Sequence, residues 1–69
     1  MTQKELLYME DAVGHEEVII KILEESINNL EDDDLVSFME DEINIHKDIK
    51  EDLINKLKEN ADEWSINNE

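Results

Sequence analysis

Along the first thirty residues the apolar side chains recur with helical spacing, and that spacing constrains the chain more than any other feature. Leu6, Met9, Val13, Ile20, Leu23, Ile27 and Leu30 follow one another at intervals that return to one face of an α-helix. A second apolar row, Ala12 and Ile19 flanked by Val18 and Ile22, widens this stripe beyond a simple two-stranded seam. Thr2 followed by Glu5 has the spacing of a capping box, so the first helix is expected to start at about residue 3 and to end near 29. Gly14 interrupts it at a cost of about 1 kcal/mol relative to alanine, and the expectation is that a neighbouring helix passes close by.

Asn28 and Asn29 and the run Glu31-Asp32-Asp33-Asp34 break the pattern and place a turn at about 30–32. Asp32 suits an N-cap, and Asp33 and Asp34 suit the positive end of a helix dipole. The run lacks the glycine and closing glutamate of a calcium loop. A second helix is expected over about 33–62. Its apolar positions are Leu35, Phe38, Met39, Ile45, Ile49, Leu53 and Leu57, with Ala61 and Trp64 near the end and Ile43 and Ile54 on a flank. Lys56 and Lys58 lie toward its negative end. Residues 65–69 read as a polar tail.

Composition supports this all-α reading. The 69 residues include no proline, one glycine and three aromatic residues, a poor recipe for a sheet. There is no cysteine, so neither a disulfide nor a thiolate site supplements a small core. A turn this short makes the helices antiparallel neighbours. With the turn near Glu31, facing residues have numbers adding to roughly 62, which pairs Ile27 with Leu35, Leu23 with Met39, Val13 with Ile49 and Met9 with Leu53. One hairpin has a single layer and leaves apolar flanks uncovered. Two of them would close a four-helix bundle, so a homodimer is expected.

The charge restricts partners. Twenty-one acids against six lysines give a net −15, with residues 1–30 contributing −5 and residues 31–69 contributing −10. Such a surface repels phosphate backbones and anionic headgroups, so neither nucleic acid nor a membrane is expected. No apolar run reaches membrane-spanning length and the N-terminus shows no signal-peptide core, which points to the cytoplasm. A basic surface on another protein is a further candidate partner, with this chain as an acidic adaptor.

Three polar residues fall inside the stripe. Glu16 occupies a seam position between Val13 and Ile20, His46 lies opposite it, and Glu42 precedes His46 by one turn. One reading is a hydrogen-bonded pair of Glu16 and His46 that fixes helix register. Another is a metal site of Glu16, Glu42 and His46, doubled in a dimer into the carboxylate and imidazole set used for iron or manganese in di-metal bundles. A third leaves these side chains solvated at the periphery. The spacing there departs from Glu-x-x-His, because Ile43 stands three residues before His46. His15 turns away from the seam as a surface residue. Ser26, Ser37 and Ser65 lack a Ser-His-Asp setting and no phosphate-binding glycine loop is present, so the chain reads as non-enzymatic.

The segment Lys4-Glu5-Leu6-Leu7-Tyr8-Met9-Glu10-Asp11-Ala12-Val13-Gly14-His15-Glu16 resembles the start of the small spore-coat-like proteins of spore-forming bacteria, which share a "KELLYLEDALGHE"-type opening. Asp34-Leu35-Val36-Ser37-Phe38 is similar to their "ELKSF" segment, and His46 stands where their second helix bears a histidine. The likeness covers most of residues 4–53 without a gap. It implies a ferritin-like helical arrangement and an association with the spore coat or other assembly proteins. Ile49 stands where the family often carries a second histidine, and the turn Asp32-Asp33-Asp34-Leu35 lacks the family's proline.

Overall fold

The computed structural model describes the backbone of residues 1–67 and the side chains of residues 1–60. It contains two helices, α1 (Gln3–Ile27) and α2 (Asp33–Asn67), and among the described residues no strand. Thr2 caps α1 as its spacing predicts: its hydroxyl accepts from the Glu5 N–H, and the Glu5 carboxylate accepts from the Thr2 N–H. The Thr2 N–H, and after it the Thr2 hydroxyl, lower the pKa of the Glu5 carboxyl, because bonds to the carboxylate favour its charged form.

The turn uses no left-handed residue. Instead, the carbonyls left over at the end of α1 are satisfied locally. The Asn29 N–H donates to Ser26, the Leu30 N–H to Ile27, and the Asn29 side-chain amide to Glu25. Asp32 then starts α2, its carboxylate accepting from the N–H groups of Asp34 and Leu35 at 2.9 and 3.1 Å. α1 ends two residues before the expected 29. α2 runs on past 62 to Asn67, since no proline or glycine follows Asp33 to stop it. Residues 68 and 69 of the expected tail, and the side chains of Ala61 and Trp64, lie outside the described residues.

The helices pack antiparallel along one seam. On α1 it consists of Leu6, Met9, Val13, Glu16, Ile20, Leu23 and Ile27, continued by Leu30 in the turn; on α2, of Val36, Met39, Ile43, His46, Lys50, Leu53, Leu57 and Asn60. Every one is at least half-buried. Both series alternate steps of three and four residues, the spacing of a helix pair with one shared stripe. The α2 series corrects the sequence reading. Leu35, Phe38, Ile45 and Ile49 are 51%, 59%, 49% and 39% exposed, whereas Ile43, expected on a flank, is 7% exposed. Met39, His46, Leu53 and Leu57 stand in the seam as expected. Only the half of α2 nearest the turn is thus rotated, by about one residue, from the expected seam, while its level along α1 agrees with facing numbers near 62. A one-residue rotation shifts level by only ~1.5 Å, so the two errors are separable.

Gly14 also differs from expectation. A Cβ built there would meet nothing within 4 Å, because α2 lies on another side of α1.

The hairpin is a single layer, and its dimensions show it. The Cα radius of gyration is 16.0 Å with extents of 55 × 14 × 12 Å, against about 11 Å for a compact domain of this length. Its accessible surface is 5415 Å², while a compact monomer of this mass exposes roughly 4,500 Å².

Candidate functional site

Each helix carries three parallel rows, because successive residues turn by about 100°. The middle row is the seam. The row one residue before the seam is mainly apolar only in its middle stretch: Tyr8, Ala12, His15, Ile19, Ile22 and Ser26 on α1, and Leu35, Phe38, Glu42, Ile45 and Ile49 on α2, with Glu5 before Tyr8 and Asp52, Lys56 and Glu59 after Ile49. The row one residue after it is largely polar: Glu10, Gly14, Glu17, Lys21 and Glu24 on α1, and Glu40, Asn44, Lys47, Glu51 and Lys58 on α2, with Leu7 and Ile54 as exceptions. Seen from one end, antiparallel helices wind in opposite senses, so both apolar rows fall on one side of the hairpin and both polar rows on the other. The polar side is marked by a groove of about 410 Å³ near the turn, lined by Glu24, Ile27, Glu40, Ile43, Asn44 and Lys47.

The apolar side stays open. Tyr8 is 61% exposed and Ile22 55%, alongside the four exposed α2 residues named above. Soluble monomers rarely show an apolar stripe that continues across two elements, and larger ones mark interaction surfaces.

At the middle of the seam, Glu16 and His46 meet as the register predicts. His46 Nδ1–H donates to Glu16 Oε2 at 2.5 Å, with side-chain exposures of 23% and 15%. An ionised carboxylate can only accept, so with Glu16 charged the imidazole is the donor through Nδ1. Lys50, one turn beyond His46, reaches Glu17 at 3.8 Å. This second polar seam position escaped the sequence reading, although the four-residue step from His46 was its signal.

Glu42 does not join the pair. It is half-buried on the row preceding the seam, so its carboxylate stands beside the open face. Among the described residues no three His, Asp or Glu side chains gather to hold a metal ion. One imidazole and one carboxylate are too few ligands for a closed site within one chain. His15 is exposed, as expected. Among the described residues no helix is long and apolar enough to cross a membrane.

The chain matches no protein-family model, and neither the curated proteins nor the solved structures include one that matches it.

Proposed function

We propose that this protein is a non-enzymatic structural or assembly module that works as a homodimeric four-helix bundle. The open apolar side of a one-layer hairpin carries the reading. Five large apolar side chains there, Ile22, Leu35, Phe38, Ile45 and Tyr8, are each about half exposed or more. Burying one such side chain contributes about 1.5–3 kcal/mol, so a second layer is worth more than any single contact within the hairpin. Association with a spore coat and a ferritin-like arrangement are proposed on the likeness of residues 4–53 alone.

In this reading the Glu16–His46 bond is a structural device that holds α1 and α2 in register. A second reading keeps the pair as half of an iron or manganese site completed by another chain. The contact of Glu16 with His46 favours it, and Glu42 would have to be recruited from the open face.

Native mass spectrometry of protein expressed with iron and manganese separates these. A metal-free dimer is the expected result. A dimer with bound metal, lost on His46→Ala, would move the pair to metal binding. A monomer at micromolar concentration would overturn the bundle itself. Tight, salt-sensitive capture of a basic protein by that monomer would make it an acidic adaptor.

A further inference from the structure

The open face has unequal edges. Next to its apolar rows, one further residue outward, runs a rim at seven-residue intervals: Lys4, Asp11, Val18 and Glu25 on α1, and Asp34, Asp41, Asp48 and Asn55 on α2. One lysine and two acids give the α1 rim a net −1, and three acids give the α2 rim −3.

Two copies related by a two-fold axis in the plane of this face can meet in two ways. An axis across the helices lays α1 on the copy's α1 and α2 on the copy's α2. An axis along the helices lays α1 on the copy's α2 at both edges. Coulomb repulsion scales with the product of the charges. That product is nine where α2 would meet its own copy, and three at each mixed edge. Mixed pairing is therefore the less repulsive of the two.

Levels along the bundle suit mixed pairing as well. With Glu16 opposite His46, residues on the two helices share a level when their numbers add to about 62. α1 laid on the copy's α2 then sets Ala12 on Ile49, Ile19 between Ile45 and Glu42, and Ile22 between Phe38 and Glu42. Each is within about 3 Å of level at ~1.5 Å per residue, while Tyr8 falls between Asp52 and Lys56. The smallest member of one row meets a branched member of the other.

The footprint is small. The α1 row from Tyr8 to Ser26 is roughly 30 Å long and two helices are roughly 20 Å wide, giving about 600 Å² of flat area. The α2 stretch from Leu35 to Ile49 is shorter, roughly 21 Å, which makes this a small interface, below the ~800 Å² per partner of the standard size. Acidic rims disfavour lipid headgroups and phosphate backbones, and the chain's own two rows bring apolar residues to shared levels. A second copy is therefore the occupant this pattern fits, against a residual repulsion between the rims.

Resting on the dimer reading above, we infer that a second copy docks on the Tyr8–Ile49 side with the two-fold axis parallel to the helices, each α1 lying on the other chain's α2.

The chain has no native cysteine, so single-cysteine variants test this directly. Ile19→Cys and Ile45→Cys proteins are mixed, unfolded, refolded together and oxidised. The mixed 19–45 disulfide is expected to exceed the half share that random pairing gives, with both homotypic products depleted. Ala12→Cys with Ile49→Cys repeats the test nearer the open end, in case one substitution weakens folding as read by circular dichroism. Predominantly homotypic disulfides, or none from folded dimers of either pair, would overturn the arrangement while leaving the dimer. A monomeric wild-type protein in sedimentation would bring down the dimer reading and this inference together.

Discussion

The two sides of the hairpin are built from neighbouring rows of the same helices, yet they obey different rules. The polar side is finished for water: Glu10, Glu17, Lys21 and Glu24 face Glu40, Lys47 and Glu51 across the seam, with Lys50 reaching over to Glu17. The other side sets Tyr8, Ile22, Phe38 and Ile45 in solvent. Charge could have been spread over both, since the chain carries 27 ionised residues of 69. Its concentration on the polar side, along the rims and at the open end of the other side, where Glu5, Asp52, Lys56 and Glu59 stand, shows that net charge describes a protein poorly. What matters is where the charge is missing.

The strongest way to break this comparison is to put a charge into each row in turn. Ile20→Asp, in the seam, sets an unpaired carboxylate at a 7% exposed position, a change expected to cost about 4 kcal/mol or more and to leave an unfolded monomer. Phe38→Asp, on the open apolar side, is expected to spare the seam but weaken dimerisation at least about 30-fold, the equivalent of a 2 kcal/mol hot spot. Asn44→Asp, on the polar side, should change neither. Circular dichroism and sedimentation at matched concentration read both quantities, because stability of a dimer depends on concentration. A fully dimeric Phe38→Asp protein would show that the apolar side is not the interface.

The pair in the middle of the seam supplies the next effect. Glu16→Leu leaves the His46 imidazole half-buried without its acceptor, and His46→Leu does the same to Glu16. Each is expected to destabilise by about 1–3 kcal/mol. The double change to leucine should recover that loss or exceed it, as apolar replacements of internal ion pairs often do. If the double variant is instead as unstable as the singles, the two residues have further partners, as a metal shared between chains would provide. Urea unfolding of the four proteins at one concentration gives the comparison.

The sequence made one direction of this fold legible and hid the other. Thr2 with Glu5, Asp32 with the two acids after it, and the alternation from Leu6 to Leu30 fixed where the helices start and how α1 faces its neighbour, because caps and periodicity are local chemistry. The turn's position fixed level along the axis, so Glu16 and His46 could be set opposite each other. Rotation of α2 was hidden. Its two adjacent rows are both apolar, and the row that enters the seam contains His46 and Lys50, while the row left outside contains Leu35, Phe38, Ile45 and Ile49. From Leu35 to Lys50 the outer row is the more apolar, four of five against three of five. Beyond it Leu53 and Leu57 stand in the seam and Asp52, Lys56 and Glu59 outside, so ranking by hydrophobicity selects the outer row only in the half nearest the turn. Over that half the more apolar row does not face the neighbouring helix of its own chain, which is the pattern a docking second copy would explain. The same rotation explains Glu42, which joins the seam cluster if the outer row is turned inward and leaves it once Ile43 takes that place.

The smallest expected effect tests the polar side from within. Gly14 sits on that row, and a Cβ there would meet nothing within 4 Å. Nothing in the hairpin requires glycine, and its backbone has no positive φ. Gly14→Ala should therefore stabilise the protein by about 0.5–1 kcal/mol through lower backbone entropy of the unfolded chain. In a domain of this size that gain raises Tm by roughly 4 °C. The sign decides more than the size. A gain with unchanged dimerisation places the polar side in water in the assembled protein, as the charge distribution requires. A loss accompanied by weaker dimerisation would mean that another chain approaches α1 closely at Gly14, and the interface would then belong on the polar side, with the Tyr8–Ile49 side left to a different partner.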